Sequence, residues 1–346
     1  MAGPIEIGQI GLGAWGKNLL RNFTTLNQCS VRMACDSDSA QVARAAELFP
    51  GTALTTHYED LLNDDKIVAV VIATPPALHF RMAVQALEAG KDVFVEKPLV
   101  LDLEEGRKLV DLAEKKERIL MVGHIMEYHP ASLMLKRYVE SKTLGDIYYL
   151  YSMRINLGKV REIENSLWSF APHDISLILF LLDMYPTSVT ANGSSYLQKG
   201  IEDVCFLTMH FDERIMAHVH VSWLDPHKER KLTIVGSKKM VVFDDTETSE
   251  KIWLFDKGID TKLDYTTYGE YLNLRIGDIT LPRVPTGEPL RLECQHFLEC
   301  VQKRTRPRSD GYDGLRVLAI LQAASQSLKK GGAPTEVTKV NMVGVS

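Results

Sequence analysis

The sequence predicts an α/β domain of the doubly wound kind followed by an α+β domain, and three observations carry that prediction. Strand and helix patterns alternate strictly through the first third of the chain, as a parallel sheet with crossover helices requires. The opening residues run strand, G-x-G-x-x-G, helix. After residue 123 the alternation stops and period-two strands follow one another, separated by Gly, Asn or Asp turns. A chain of 346 residues exceeds one ordinary domain and fits two, expected at 1–123 and 124–346.

Composition narrows the class. With 45% apolar and 25% charged residues the chain reads as an ordinary globular protein, and a net charge of −5 without a Lys/Arg-rich run argues against a nucleic-acid partner. No apolar stretch approaches a membrane span and no secretory pattern opens the chain, so no membrane partner is expected. Cys29, Cys35, Cys205, Cys294 and Cys300 are odd in number and form no C-x-x-C pair, which suits reduced thiols in the cytoplasm.

Taken in order, Ile5, Ile7 and Ile10 mark a buried strand, and Leu19, Leu20 and Phe23 give the helix after it its apolar spacing. Between them Gly11 permits a tight turn, Gly13 lets the backbone approach a pyrophosphate and Gly16 packs the helix close to the strand. Ala14 and Trp15 share that cofactor turn. The strand "VRMACD" ends at Asp36, where a carboxylate takes the adenosine ribose hydroxyls and repels a 2′-phosphate, so NAD is expected over NADP. A helix through "SAQVARAAELF" precedes "VAVVIAT", apolar on both faces like a central parallel strand. Then come the helix "PALHFRMAVQALEAG", the strand "DVFVEK", a helix opened by Asp102 and Glu105 at capping-box spacing, and the strand "RILMVG". About six parallel strands result. Ligands sit beyond the carboxyl ends of such strands. Thr74 and Pro75, with His79 just beyond them, and Glu96 with Lys97 are therefore expected along the cofactor crevice.

Gly11-Leu12-Gly13-Ala14-Trp15-Gly16, the "ATPPALH" loop and Glu96-Lys97-Pro98, in this order and spacing, resemble the glucose–fructose oxidoreductase and inositol dehydrogenase family, often called Gfo/Idh/MocA. The resemblance implies an N-terminal Rossmann domain and a C-terminal domain built on a large open, mostly antiparallel sheet. It also implies that Lys97 stands beside the nicotinamide and the reacting hydroxyl, and that Glu96 contacts the nicotinamide-side ribose. The chemistry agrees: a lysine partly out of water beside a cationic ring can hold a substrate hydroxyl and share its proton as charge develops on oxygen. Pro98 fixes the backbone just after it.

In the second half, the strands "IYYLYSMRINL", "SVTANGSSYL", "DVCFLTMHF", "IMAHVHVSW", "KLTIVG" and "KMVVFDD" form the broad sheet, and two helices close the chain. Helices should cover one face of that sheet and a second subunit the other, giving a homodimer or homotetramer. "SLWSFAPHDISLILFLL" is read as a buried helix with Pro172 in its first turn, so that His173 and Asp174 sit at its N-terminus. The family has an acid/base histidine here, and His173 matches it; Asp174 is a candidate to orient it. Ser169 stands where many members carry an aspartate, and Glu127 where many carry an arginine. With "LW-x-x-x-PHDIS", "GHIMEYHPA" and "LRLECQHFLEC", these departures look more like the nucleotide-sugar branch, whose members oxidise or reduce a ring position such as C3 of a UDP- or dTDP-linked sugar. Substrate contacts are then expected from His124, Arg154, Asn156, Arg161, Asn165 and Asp174.

His218 and His220 lie on one strand face with no carboxylate or cysteine at ligand spacing, so no metal is expected. A G-x-S-x-G elbow and a G-x-x-x-x-G-K-[ST] loop are both missing from the sequence. The Gly- and Pro-rich "RIGDITLPRVPTGEPL" reads as a loop over the site or at a subunit contact. The expected protein is an NAD-dependent oxidoreductase acting on a sugar ring hydroxyl. Two competitors remain, a free-sugar or cyclitol dehydrogenase and a non-catalytic dinucleotide-binding regulator.

Overall fold

The computed structural model describes residues 3–261 and 272–340. Two compact units emerge, and they do not follow a single cut after residue 123. The first takes the chain up to Tyr128 and also Gly287–Ala319; the second takes His129–Thr286 and Ile320–Lys339.

In the first unit six strands form one parallel sheet: β1 (Ile5–Ile10), β2 (Cys29–Cys35), β3 (Ala53–Thr55), β4 (Ala69–Ile72), β5 (Asp92–Glu96) and β6 (Leu120–Gly123). Their spatial order is β3-β2-β1-β4-β5-β6, so the winding reverses between β1 and β4. That reversal opens the crevice in which a dinucleotide lies. Every residue of β4 and β5 is buried, which explains why both read as unbroken apolar runs rather than alternating ones. Crossovers are made by α1 (Gly16–Thr24), α2 (Ser39–Leu48), α3 (Glu59–Asn63), α4 (His79–Glu88) and α5 (Leu103–Lys115). Asp38 caps α2 through the Ala40 amide, and Asp102 caps α5 through the amides of Glu104 and Glu105. Each such cap stabilises its helix by about 1 kcal/mol.

The later segment joins this unit for a packing reason. The helix Pro289–Lys303 buries Phe297 edge-on against Phe23 of α1 and Phe94 of β5, with ring centroids 6.4 and 5.6 Å apart. All three rings are fully buried, and such aromatic contacts are worth about 0.5–1.5 kcal/mol each beyond the area they bury.

The second unit contains a nine-stranded sheet. Its strands are β7 (Ile147–Ile155), β8 (Ser188–Ser194), β9 (Val204–His210), β10 (Met216–Ser222), β11 (Glu229–Gly236), β12 (Met240–Asp244), β13 (Ile252–Thr261), β14 (Leu272–Thr280) and β15 (Thr335–Glu336). They are ordered β14-β13-β12-β11-β7-β10-β9-β8-β15, antiparallel throughout except where β7 meets β10. Part of the segment read as a loop from its glycine and prolines is therefore the edge strand β14; residues 270 and 271 of that segment's flank lie outside the described residues. A Cβ on Gly277 of this strand would stand 2.9 Å from the Asp256 carbonyl oxygen on β13.

Helix α6 (Pro130–Glu140) packs on α7 (Ser166–Leu182), and α7 lies on β7, β9 and β10. On the sheet's opposite face Tyr149, Tyr151, Phe206 and Met216 are each about two-fifths exposed, and the Phe206 ring stacks on His220 at 4.4 Å. Among the described residues no helix is long and apolar enough to cross a membrane.

Candidate active site

The glycine turn after β1 is shaped by what each missing side chain allows. Gly11 has φ +98, and a Cβ there would stand 2.3 Å from the Ala73 carbonyl oxygen at the end of β4. A Cβ on Gly16 would stand 2.1 Å from the Gly11 carbonyl oxygen. Around Gly13, by contrast, nothing lies within 4 Å. Two of the glycines are thus required by the protein's own packing, while the third faces open space where a ligand can approach the backbone. Gln9, fully buried on β1, holds the turn by donating from Nε2 to the carbonyls of Gly11 at 3.0 Å and Gly16 at 2.7 Å. Sequence reasoning passed over Gln9, although a glutamine inside an otherwise apolar strand is a readable signal. Ala14 and Trp15 are exposed at the tip of the turn.

Asp36 stands just past the end of β2. Its Oδ2 accepts the Leu12 amide at 2.7 Å and its Oδ1 the Asp38 amide at 2.9 Å. The carboxylate is thereby fixed against the glycine turn, with a lone pair left on each oxygen for a ligand hydroxyl.

Beyond β4, Thr74 is half-buried and Pro75 exposed. His79, expected at the cofactor, is instead wholly buried: Nδ1 lies 2.9 Å from the Pro98 carbonyl and Nε2 2.9 Å from the Thr74 carbonyl. Burial lowers its pKa against the pull of those carbonyls. With a ring nitrogen against each carbonyl, the histidine ties the tip of β4 to that of β5.

At the β5 tip, Glu96 Oε1 accepts the indole N–H of Trp15 at 2.5 Å and Oε2 the Lys97 amide at 3.2 Å. Gly123 on neighbouring β6 is a glycine for want of room, since a Cβ there would meet the Glu96 carboxyl at 2.9 Å. Burial raises the Glu96 carboxyl to about 7, opposed by the Trp15 hydrogen bond and the Lys97 charge. Lys97 itself is half-buried and joined to Pro98 by a cis peptide bond. Just past β6, His124 is buried with neither ring nitrogen hydrogen-bonded, and burial, with Lys97 nearby, lowers its pKa to about 3. It is therefore a neutral ring at any physiological pH.

In the second unit three of the five expected substrate residues, Arg154, Asp174 and Asn165, are engaged with the protein. Arg154 of β7 donates from Nε to Asp174 Oδ2 at 2.6 Å and from Nη2 to Oδ1 at 3.4 Å, and both side chains are nearly out of solvent. Asn165 caps α7 through the Trp168 amide at 3.1 Å and donates to Glu202 at 2.6 Å. The helix consequently begins at Ser166, six residues before Pro172, not at it. Proline lacks the N–H that the Trp168 carbonyl would receive, which loosens the turn before His173; the Arg154–Asp174 pair ties that turn to the sheet. His173 is half-buried within the helix. Asn156 is half-buried and Arg161 exposed, the latter 3.6 Å from Glu164.

Two family models match the chain. One, described as an oxidoreductase family with an NAD-binding Rossmann fold, matches residues 5–124; the other, the GFO/IDH/MocA C-terminal domain, matches residues 133–242. The scyllo-inositol 2-dehydrogenase (NAD(+)) of Bacillus subtilis (strain 168) is 26% identical over 347 aligned positions, covering 96% of each chain. Among solved structures, UDP-N-acetylglucosamine 3-dehydrogenase from Acidithiobacillus ferrooxidans superposes with a TM-score of 0.78 at 23% identity, over 94% of this chain and 98% of that one. Levoglucosan dehydrogenase in complex with NADH and L-sorbose superposes with a TM-score of 0.83 at 19% identity, over 98% of this chain and 100% of that one. The two structural likenesses show a shared fold.

Proposed function

The chain belongs to the GFO/IDH/MocA oxidoreductase family, and from that premise we propose that it transfers hydride between NAD and a ring hydroxyl or ketone of a nucleotide-linked sugar, as a C3-type dehydrogenase or ketoreductase. The observation that carries this reading is the β5 tip: Glu96 is hydrogen-bonded to Trp15 of the glycine turn, so Lys97 stands at the same crevice as the dinucleotide fingerprint. A dinucleotide fits the turn, because Gly13 leaves its backbone accessible just before the N-terminus of α1 at Gly16. Bound there, the nicotinamide supplies the hydride acceptor or donor.

The chain's own residues do the rest. Backbone amides of Gly13, Ala14 and Trp15 hold the pyrophosphate, while Asp36 takes the adenosine ribose and disfavours a 2′-phosphate. Glu96 meets the ribose on the nicotinamide side. Lys97 holds the substrate oxygen and stabilises negative charge as it develops there. His173 takes the hydroxyl proton during oxidation and returns it in the reverse direction. Asp174, locked by Arg154, serves the placement of His173 rather than substrate contact, and Asn165 serves the helix cap. Asn156 and Arg161 remain the candidates for substrate groups on this unit.

The nucleotide-sugar assignment is supported by the motifs around His173, Glu127 and Glu293 and by the fold shared with the UDP-N-acetylglucosamine enzyme. A free cyclitol is the second reading, favoured by the full-length similarity to the inositol enzyme. The half-exposed aromatic face of the nine-stranded sheet suits burial against a second copy of the chain, which native mass spectrometry checks directly.

Mass spectrometry of nucleotide retained by the purified protein, followed by titration with NADH and NADPH, is the first test. Preferential NADH binding, then turnover of UDP- or dTDP-sugars, sustains the proposal. Turnover of inositols with none of nucleotide sugars moves the assignment to the second reading. Binding of neither dinucleotide ends both.

A further inference from the structure

Asp203, which ends the loop between β8 and β9, is out of contact with solvent, yet its carboxylate is directed at that surface loop. Oδ2 accepts the amides of Tyr196 at 2.6 Å and Leu197 at 2.9 Å, and Oδ1 accepts the Trp223 indole N–H at 2.5 Å. Burial pushes the carboxyl up, but the bonds from Leu197, Trp223 and Tyr196 together hold it below the usual carboxylate range. What the pinned loop displays is apolar: Tyr196 is 70% and Leu197 52% exposed.

A second loop is tied to the same aspartate. The Trp223 amide donates to the Asp203 carbonyl at 3.2 Å, and the Trp223 carbonyl accepts the Gly158 amide at 3.1 Å. Gly158 follows Leu157, which is 74% exposed on the segment between β7 and α7. Further along that segment the Arg161 carbonyl accepts Gln198 Nε2 at 2.9 Å, so the two loops are joined. An apolar side chain exposed singly is ordinary. Several on loops held rigid by a buried carboxylate mark a recognition surface, and a tyrosine offers it a flat face whose fixing costs little entropy.

The loops also have a fixed relation to the acid/base candidate. The amide of Ser166, where α7 begins, donates at 2.9 Å to the carbonyl of Glu202, the neighbour of Asp203. His173 follows two turns later, about 10 Å along the helix axis. In a nucleotide-linked sugar a diphosphate and a ribose separate the reacting ring from the base, so the two ends of the substrate need contacts at separate places. We propose that Tyr196, Leu197 and Leu157 form the nucleoside subsite, with the base stacked on the Tyr196 ring while the sugar reaches His173. Arg161 stands between them. Its exposed guanidinium suits a phosphate oxygen, although Glu164 lies 3.6 Å from Nε. The inference rests on the nucleotide-sugar reading of the function, and it names the part of the chain that recognises the nucleotide.

Calorimetric titration with UDP, together with steady-state kinetics on a UDP-sugar that the protein turns over, tests it. Tyr196→Ala should weaken UDP binding by about 5- to 100-fold, the range of a lost base–aromatic stack. The same variant should raise KM by a similar factor and leave kcat unchanged, because stacking at the base binds ground state and transition state alike. Tyr196→Phe keeps the ring and should stay near the native values. Tyr148→Ala, at an exposed tyrosine on the opposite end of β7, should change neither quantity. Equal UDP affinity in the native protein and Tyr196→Ala overturns the proposal. So does a change of oligomeric state in that variant, which would make the loop a subunit contact. A native protein that binds NADH but not UDP overturns the nucleotide-sugar reading itself, and the subsite with it.

Discussion

The glycine turn of the first unit and the β7–α7 region of the second both looked like binding sites, and they are built on opposite principles. The turn works through side chains it lacks: Gly13 leaves open space, and Gly11 and Gly16 permit contacts that any Cβ would block. The β7–α7 region is crowded with polar side chains, yet Arg154, Asp174 and Asn165 are each committed to the protein itself. A polar residue near a candidate site is not thereby a ligand contact. Its existing hydrogen bonds decide.

The largest expected effect tests whether the β5 tip is chemical rather than structural. Lys97→Ala should lower turnover by about 10²–10⁴-fold while NADH binding persists, the range of a lost proton-transfer or charge-stabilising group. Steady-state rates beside a binding titration would check this, and unchanged turnover would remove the contrast with the second unit.

Arg154→Ala probes the other side. Leaving Asp174 buried and unpaired should destabilise the fold by about 3–5 kcal/mol, whereas Arg161→Ala, at an exposed position, should stay within about 0.5 kcal/mol. Denaturant unfolding of the two variants compares them; equal effects would mean that Arg154 is not the brace described above.

Within the turn the glycines should separate. Gly16→Ala forces a backbone shift and should cost about 1–3 kcal/mol of stability. Gly13→Ala should leave the melting temperature nearly unchanged and weaken NADH binding. Were both to act through stability alone, the open space at Gly13 would have no functional meaning.

Smaller still is Asn165→Ala, expected to cost about 1 kcal/mol through loss of the α7 cap. A comparable pH effect belongs to Asp245, which His129 approaches at 3.4 Å and whose carboxyl is lowered to about 2 by the His129 hydrogen bond and by the charges of His129, Lys251 and Arg154, against burial. A depressed carboxyl contributes stability above its unfolded pKa, lost as pH falls through the folded one. Asp245→Asn should therefore be less stable than the native chain near neutrality, and the difference should vanish as pH falls from about 4 to about 2. Urea unfolding at several pH values reads it out.

The sequence alone was enough for the parallel sheet, the glycine turn, Asp36 and the Glu96-Lys97-Pro98 tip. Each is a local pattern: a strand period, a turn that needs glycine, a residue at a strand end. Leu290, Glu293 and Phe297 also share a helix stripe, so an acid on an apolar face was visible, but nothing local said which strand that face would meet. The start of α7 was misplaced because a proline near an apolar run imitates a first turn, while the Asn165 cap lies further upstream.

What only the tertiary structure decided is which side chains had already found partners. Gln9 against two carbonyls, His79 between Thr74 and Pro98 and Arg154 on Asp174 all join residues from different elements. Backbone conformation and apolar period are set within a few residues, so they survive in the sequence as patterns. Hydrogen-bond pairing and burial depend on which elements meet, and that is settled only when the chain closes on itself.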